Sequence, residues 1–469
     1  MPIPLTIALL TFNRKSFLKE SLFSIFQQTY RNFEIIVLDN HSTDGTPELI
    51  LGLNDARLRY VRNAPGHDML FNVMSAVQMA RGERLLIFHD DDIMEPRMVE
   101  RAMEAFGSHP SITGVWCNHS IIDEAGAFIN EKANPKLENF SYKKFEYLEK
   151  FISTSWWPYP SGFFFTPKYL PNSITLDYRK AGNHRRYLRL AGADPLCLME
   201  MNFKGGLEVI GEPLFRYRRH GNQDSLRTDL AGPVLNMYRQ LFKAANRYKM
   251  SQTIIDQYSI TVKRFEAQAA LISAQKFPLT KALNHKLRKI ALSLTSDIDL
   301  SARALSINAW CLEILFAQLG FMCCDYDGRV PLSSPLERGL WSWVQRKRVG
   351  ENMFDDFPSG VSLSILGSSL IGALLLLEAK LAGVGRVSVI DSNINRIGKK
   401  MLGEIIHPTS SLGGVKTERH VVILSSERDQ DDALTAMIKS FAPDVYVASW
   451  KQIAEFGFDE VVDGWWRKL

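Results

Sequence analysis

The chain has 469 residues, more than one ordinary hydrophobic core encloses, so two or three domains are expected. Hydrophobic residues at 46% and charged residues at 23% give a globular composition and exclude a disordered or fibrous chain. The net charge of +5 is too small for this length to argue for nucleic acid; it suits an anionic substrate or a weakly held anionic surface.

The first 225 or so residues alternate two kinds of pattern. "LTIALLT" (5–11) is a short strand, and "SFLKESLFSIFQQ" (16–28) spaces Leu18, Leu22, Ile25 and Phe26 as a helix does. "FEIIVLD" (33–39) is a second strand, "STDGT" (42–46) a turn and "RLRYVRN" (57–63) a third strand. "NVMSAVQMARGE" (72–83) is a helix stopped by Gly82, and "RLLIFHD" (84–90) a further strand. This alternation predicts a parallel sheet, where ligands bind outside the carboxyl ends of the strands. Thr11, Asp39 and Asp90 fall at such ends and should share one crevice.

From about 228 to 330 the texture is helical, and "DGRVPLSSPLERG" (327–339) has the composition of a linker. From about 358 strand–helix alternation returns, with "VSLSILG", "RVSVID", "HVVILSS" and "DVYVAS" as strands. Five cysteines, Cys117, Cys197, Cys311, Cys323 and Cys324, form no C-x-x-C pair, which fits reduced thiols in the cytoplasm and no zinc site. The first residues lack the basic and cleavage regions of a signal peptide. The apolar run Leu370–Leu377 is closed by Glu378 and Lys380, well short of the roughly 20 residues that span a bilayer.

"HDDDIMEP" (89–96) puts three aspartates behind a greasy strand. Adjacent carboxylates repel and resist dehydration, so the arrangement calls for a cation. Hard oxygen ligands suit Mg²⁺ or Mn²⁺, which complete their shells with substrate phosphates. A helix cap with a solvated acidic turn is the competing explanation.

"TFNR" (11–14), "VLDNHSTDGT" (37–46) and "HDDDIMEP" follow one another in an order that resembles the family 2 glycosyltransferases, inverting enzymes of the GT-A fold, over roughly residues 3–225. The resemblance implies a nucleotide entry loop at Thr11, Phe12, Asn13 and Arg14, and a base contact at Asp39. It places Asn63 near base and ribose and Asp90 toward the ribose, with Asp91 as metal ligand supported by Asp92. Many members carry an aspartate where this chain has His89, which leaves the roles within the triplet open by one residue. The general base of the family falls in "LAGADPLCLMEM" (190–201) at Asp194, which Pro195 also makes a good helix start. In "LFRYRRHGNQDS" (214–225) the resemblance assigns Arg216, Arg218 and Arg219 to the diphosphate and His220 to metal or phosphate, against a solvated charge run. "TSWWPYPSGFFF" (154–165) is either an acceptor surface or core.

"ILGSSLIG" (365–372) keeps the outer glycines of a dinucleotide fingerprint, Gly367 and Gly372, with Ser369 in the middle place and Asp391 where a ribose-binding acid stands. The segment weakly resembles small Rossmann-like domains appended to sugar-modifying enzymes, as a docking module or a second nucleotide site. The expected architecture is α/β: a GT-A domain over 1–227, a helical region with linker over 228–335 and a Rossmann-like domain over 336–469. The expected function is metal-dependent inverting transfer from a nucleotide-sugar, UDP-linked, to a glycan or lipid-linked hydroxyl, in bacterial surface-polysaccharide assembly. A sugar nucleotidyltransferase and a non-catalytic nucleotide-sugar binding protein are the alternatives; the first should show a glycine-rich loop where this chain has "LLTFNRKS". A cytoplasmic protein is expected, with peripheral contact at the inner membrane offered by "HKLRKIAL" (285–292) and "WWRKL" (465–469).

Overall fold

A computed structural model of the chain describes residues 3–66, 69–154, 159–170, 193–221, 231–297, 307–320, 332–393, 396–414 and 419–462. The chain divides into two compact units, Met1–Gln223 and Asp224–Leu469.

In the first unit β1 (Leu5–Thr11), β2 (Glu34–Asp39), β3 (Leu58–Arg62) and β4 (Arg84–His89) occupy the expected runs. Every residue of β1 and β2 is buried, as continuous apolar runs in a parallel sheet covered on both faces should be. The order β3-β2-β1-β4 is parallel, with Thr11 opposite Asp39 and Leu10 opposite His89. The three strand ends therefore meet on one edge, as the alternation implied. The helix before β4 ends at Met79, ahead of Gly82. Gly82 answers a different need: a Cβ there would come within 2.4 Å of the Thr6 backbone nitrogen.

The sheet continues through β5 (Ile93–Met94), β6 (Ile112–Ile122), β7 (Phe128–Asn130), β8 (Phe140–Tyr142), β9 (Phe163–Phe165) and β10 (Gly206–Arg218). Beyond β4 the order is β9-β6-β10-β5; β9 is antiparallel to both neighbours and β10 parallel to β6. The pattern reading passed over β6 and β10. In β10, register shifts around Pro213 break the alternation that would have announced it. Residues 214–218 of the run read as a cationic segment are the end of this strand, and 222–225 lie outside the described residues. Phe163, Phe164 and Phe165 are buried between β4 and β6, so this part of the aromatic segment is core; Trp156 and Trp157 lie outside the described residues.

The second unit opens with helices Ala231–Arg247, Gln252–Ile272, Lys281–Asp297, Ile307–Gln318 and Pro335–Arg348. A second sheet follows: β11 (Ser362–Leu366), β12 (Val387–Asp391), β13 (Lys400–Met401), β14 (Glu404–Pro408), β15 (His420–Leu424) and β16 (Tyr446–Ser449). Its order is β13-β14-β12-β11-β15-β16, parallel except for β13, with β11 central as in Rossmann-like sheets. One apolar core joins Ile260, Leu271 and Trp310 of the helices to Leu363, Leu375 and Trp450 around the sheet. Within 327–339, Ser334 caps the helix that starts at Pro335, in a capping box with Glu337, while 327–331 lie outside the described residues. The polar residues read as linker there are a helix start. Among the described residues no helix is long and apolar enough to cross a membrane.

Candidate active site

β4 delivers Asp90, Asp91 and Asp92 into the turn before β5, and each is at most 6% exposed. Asp92 is bonded on both oxygens: Oδ1 accepts the Arg218 N–H at 3.0 Å and Oδ2 the Ser161 hydroxyl at 2.6 Å. Asp91 Oδ2 accepts Arg14 Nη1 at 3.0 Å and lies 3.0 Å from His220 Nε2. Asp90 Oδ1 accepts the same Nη1 at 3.1 Å, while its Oδ2 is buried without a hydrogen-bond partner.

Burial pushes Asp90 up to about 7 against the pull of the Arg14 charge, with Asp91 raising it further. Asp92 is raised well above the carboxylate range by burial and by the Asp91 charge. Burial acts on Asp91 in the same sense, but the His220 hydrogen bond and the charges of His89, Arg14 and His220 outweigh it and hold Asp91 below its usual value. The cluster thus resists full ionisation with its present cations.

Two loops hold the crevice. Thr11 closes β1, and its hydroxyl is buried without a partner. Phe12 is exposed, and Asn13 adopts φ +51°, in the left-handed region where Asn is tolerated. The Asn13 N–H donates to Ser42 Oγ at 2.9 Å and its Oδ1 accepts the Thr43 N–H at 2.8 Å, while the Lys15 N–H donates to Asp44 Oδ2 at 2.8 Å. These ties set Arg14 over the triplet. Asp39 is fully buried; Oδ1 accepts the Ser42 N–H at 2.8 Å and Oδ2 the Tyr60 hydroxyl at 2.6 Å, with Arg62 Nε 3.8 Å away. Its carboxylate organises the loop at the strand end. Asn63 donates its N–H to the Asp39 carbonyl at 2.9 Å and its side-chain amide to Asn72.

The cationic run divides. Arg218 is 1% exposed and donates to the carbonyls of Asp91 (2.9 Å) and Glu124 (3.0 Å) and to Glu20 Oε2 (2.7 Å), above the Phe17 ring. Arg216 pairs with both oxygens of Glu95 at 2.6 and 3.3 Å. Both arginines are engaged by the protein itself; Arg219 is exposed. His220 is buried against Phe17. Asp194 is the second residue of the helix Ala193–Lys204, and its side chain lies outside the described residues. The structure adds Ser161, Glu20, Phe17 and Tyr60 to the site's surroundings; a hydroxyl, a carboxylate and two rings inside ordinary patterns carry no sequence signal.

In the second unit Gly367 has φ +107°, and a Cβ on Gly372 would stand 2.0 Å from the Gly367 carbonyl oxygen. The Asp391 Oδ2 accepts the Ser368 N–H (2.8 Å) and hydroxyl (2.5 Å), and Oδ1 the Asn393 N–H (2.8 Å). The turn and close helix approach of the fingerprint are present, and the acid serves the turn.

Among the described residues no three Asp, Glu, His or Cys side chains already surround one point as a metal shell. The donor chemistry nonetheless fits a hard divalent cation. Asp90 Oδ2 has no partner, and the Arg14 guanidinium already stands as a cation between Asp90 and Asp91. Asp91, Asp90 and His220 are the residues that would hold it.

A mixed α/β sheet whose parallel strands β1 and β2 end beside an acidic triplet at the end of β4 is the arrangement of the GT-A class. Residues 6–166 match the family described as Glycosyl transferase family 2. An uncharacterized glycosyltransferase of Methanocaldococcus jannaschii, MJ1057, is 29% identical over 148 residues, 31% of this chain and 51% of that protein. The Escherichia coli protein named UDP-Glc:alpha-D-GlcNAc-diphosphoundecaprenol beta-1,3-glucosyltransferase WfgD is 25% identical over 118 residues, 25% of this chain and 46% of its own. The chain spans about half or less of the length of the first curated relatives it matches. Among solved structures, Staphylococcus aureus TarS 1–349 in complex with UDP-GlcNAc aligns over 81% of this chain and 92% of its own, at 14% identity and a TM-score of 0.43.

Proposed function

We propose that the chain is an inverting glycosyltransferase that moves a sugar from a nucleotide-diphosphate donor, UDP-linked, to the hydroxyl of a glycan or lipid-linked acceptor in surface-polysaccharide assembly. The observation that carries this is the buried acidic triplet beside the Thr11 and Asp39 strand ends, with one carboxylate oxygen left without a partner. The family match supports the reaction class, and the printed name of the WfgD relative supports the UDP donor and lipid-linked acceptor.

The loop 11–15, held by Ser42, Thr43 and Asp44, lines the nucleotide, with Asp39 and Asn63 fixing the neighbouring strand ends. Arg14 and Arg219 offer charged donors to phosphate oxygens. Mn²⁺ or Mg²⁺, when bound, neutralises charge on the leaving diphosphate. Asp194 takes the acceptor hydroxyl proton; the acceptor oxygen bonds to the anomeric carbon as the bond from that carbon to the diphosphate oxygen breaks. The nucleoside diphosphate leaves with the electron pair, and the anomeric configuration inverts.

A donor-hydrolysis screen of nucleotide-sugars with Mn²⁺ or Mg²⁺ tests the class without an acceptor. Calorimetric titration of UDP should show tighter binding with Mn²⁺, and Asp91→Asn should remove that difference. Equal wild-type affinity with and without metal would overturn the metal–diphosphate site. Asp194→Asn should lower turnover by about 10²–10⁴ and keep donor affinity, the signature of a lost general base. Near-normal transfer by that variant would leave Asp194 as a helix-start residue only.

A further inference from the structure

The second unit carries a groove of about 500 Å³ whose apolar wall is formed by Phe277, Pro278, Leu279, Leu377 and Leu381. Its other wall is one face of the helix Lys281–Asp297: Lys281, His285 and Arg288 line it. These positions are spaced by four and three, so their side chains stand above one another. Leu292, one further step of four along the stripe, is 69% exposed, and Leu381 on the opposite wall is 51% exposed. From Lys281 to Leu294 the helix also carries Lys286 and Lys289 and no acidic residue. Its other face packs Leu287, Ile290 and Leu294 into the unit's core, which fixes the basic face outward.

A solvated helix face normally mixes both signs, and a site for a free anion does not need an apolar trough beside it. Here an acid-free cationic stripe borders a trough with the exposed Leu381 on its wall, and the exposed Leu292 continues the stripe beyond it. The pairing is complementary to an amphiphile with an anionic head and a hydrocarbon body. We infer that this groove and stripe dock the second unit onto an anionic phospholipid surface. The phosphate heads lie along Lys281, His285 and Arg288, and acyl chains contact the Leu381 wall. A few cations with limited apolar area give reversible, salt-sensitive attachment.

Co-sedimentation of the full chain with vesicles tests this. Vesicles of phosphatidylcholine containing about one-third phosphatidylglycerol should retain the protein at low salt and release it at high salt; pure phosphatidylcholine should not retain it. Lys281→Gln with Arg288→Gln should weaken retention about twenty-five-fold, at about fivefold per cation near an anionic leaflet. Leu381→Glu should weaken it independently. All three positions are exposed, and unchanged thermal unfolding shows that the variants fold. Inorganic phosphate at the same ionic strength should leave the protein bound; release by phosphate would make this a soluble-anion site and overturn the proposal. No low-salt binding, or equal binding by the double variant, would also overturn it. Donor hydrolysis in free solution, assigned to the first unit, should stay at the wild-type level in these variants. Loss of the lipid surface therefore leaves the transferase proposal untouched.

Discussion

His119 sits in β6 with its ring 5.1 Å from Phe215 and 4.4 Å from Tyr159, and both ring nitrogens are buried without a hydrogen-bond partner. Burial lowers its pKa from 6.5 to about 4, with the Arg219 charge adding to the effect. Because the folded value lies below the unfolded one, the unfolded chain takes up the proton first as pH falls. Stability from this group is complete above 6.5 and is lost on the way down to about 4. The loss is about 3 kcal/mol over that window, at about 1.4 kcal/mol per pH unit. His119→Phe should flatten this part of the acid profile, compared by urea midpoints near neutrality and near pH 5; an unchanged slope would place the acid sensitivity elsewhere. Arg14 gives a second expectation. Its guanidinium stands between Asp90 and Asp91, where an added cation would sit, so Arg14→Gln should tighten binding of Mn²⁺ alone by roughly tenfold. Electron paramagnetic resonance of free Mn²⁺, without nucleotide, reads this directly, and weaker binding by the variant would show that Arg14 helps hold the metal.

Helices of the second unit are tied to one another and to the turn at Met353 by one buried carboxylate. Glu378 is fully buried and accepts Trp343 Nε1 at 2.6 Å, Gln318 Nε2 at 2.9 Å, the Met353 N–H at 2.9 Å and Lys347 Nζ at 2.6 Å. Removing it leaves an almost buried ammonium and three donors without their acceptor. Glu378→Ala should therefore cost about 3–5 kcal/mol in denaturant unfolding of the second unit. The double variant Glu378→Met, Lys347→Met should recover part of that, because it leaves no unpaired charge. The element scale also shows where sequence patterns inform and where they stop. The strand runs 5–11 and 33–39 could be read because both faces are covered and most residues are apolar. The helix at Pro335 was concealed by its own cap, since Ser334 and Glu337 look like turn residues until both reciprocal bonds are seen. β10 was concealed by the irregularity at Pro213, although its last residues hold two of the site's arginines.

At the scale of the whole chain the core decides where it can be divided. A fragment ending at Gln223 keeps all of the first unit and should fold and, under the proposed function, match the full chain in UDP binding. One ending near residue 335 keeps helices Gln252–Ile272 and Ile307–Gln318 but loses the sheet that completes their core, and should expose apolar surface to dye binding. Equal dye binding by both fragments would mean that the helices are stable without the sheet. The candidate site was legible in the sequence only as a set of residue types in order. The acidic triplet pointed to a cation, against a helix cap with a solvated acidic turn, and the burial of all three carboxylates removes the solvated turn. What each carboxylate does was not legible: Asp92 is satisfied by Ser161 and Arg218, Asp39 by Ser42 and Tyr60, and nothing in the sequence pairs these side chains and N–H groups with their carboxylates. The arginines told the least, since guanidinium groups look alike in sequence whether they face a phosphate or hold a turn.

The backbone N–H that fixes Asp92 belongs to a residue 126 positions downstream, and His220 lies 129 positions beyond Asp91. During synthesis, a chain that has emerged only as far as Lys204 displays the three aspartates with neither Arg218 nor His220 beside them. The partial chain carries the acidic sequence without the partners that hold it, and its carboxylates should remain in water. The full set of partners arrives only with the last strand of the first unit, so under the function proposed above the growing polypeptide should not take a nucleotide-sugar until that strand has closed the sheet.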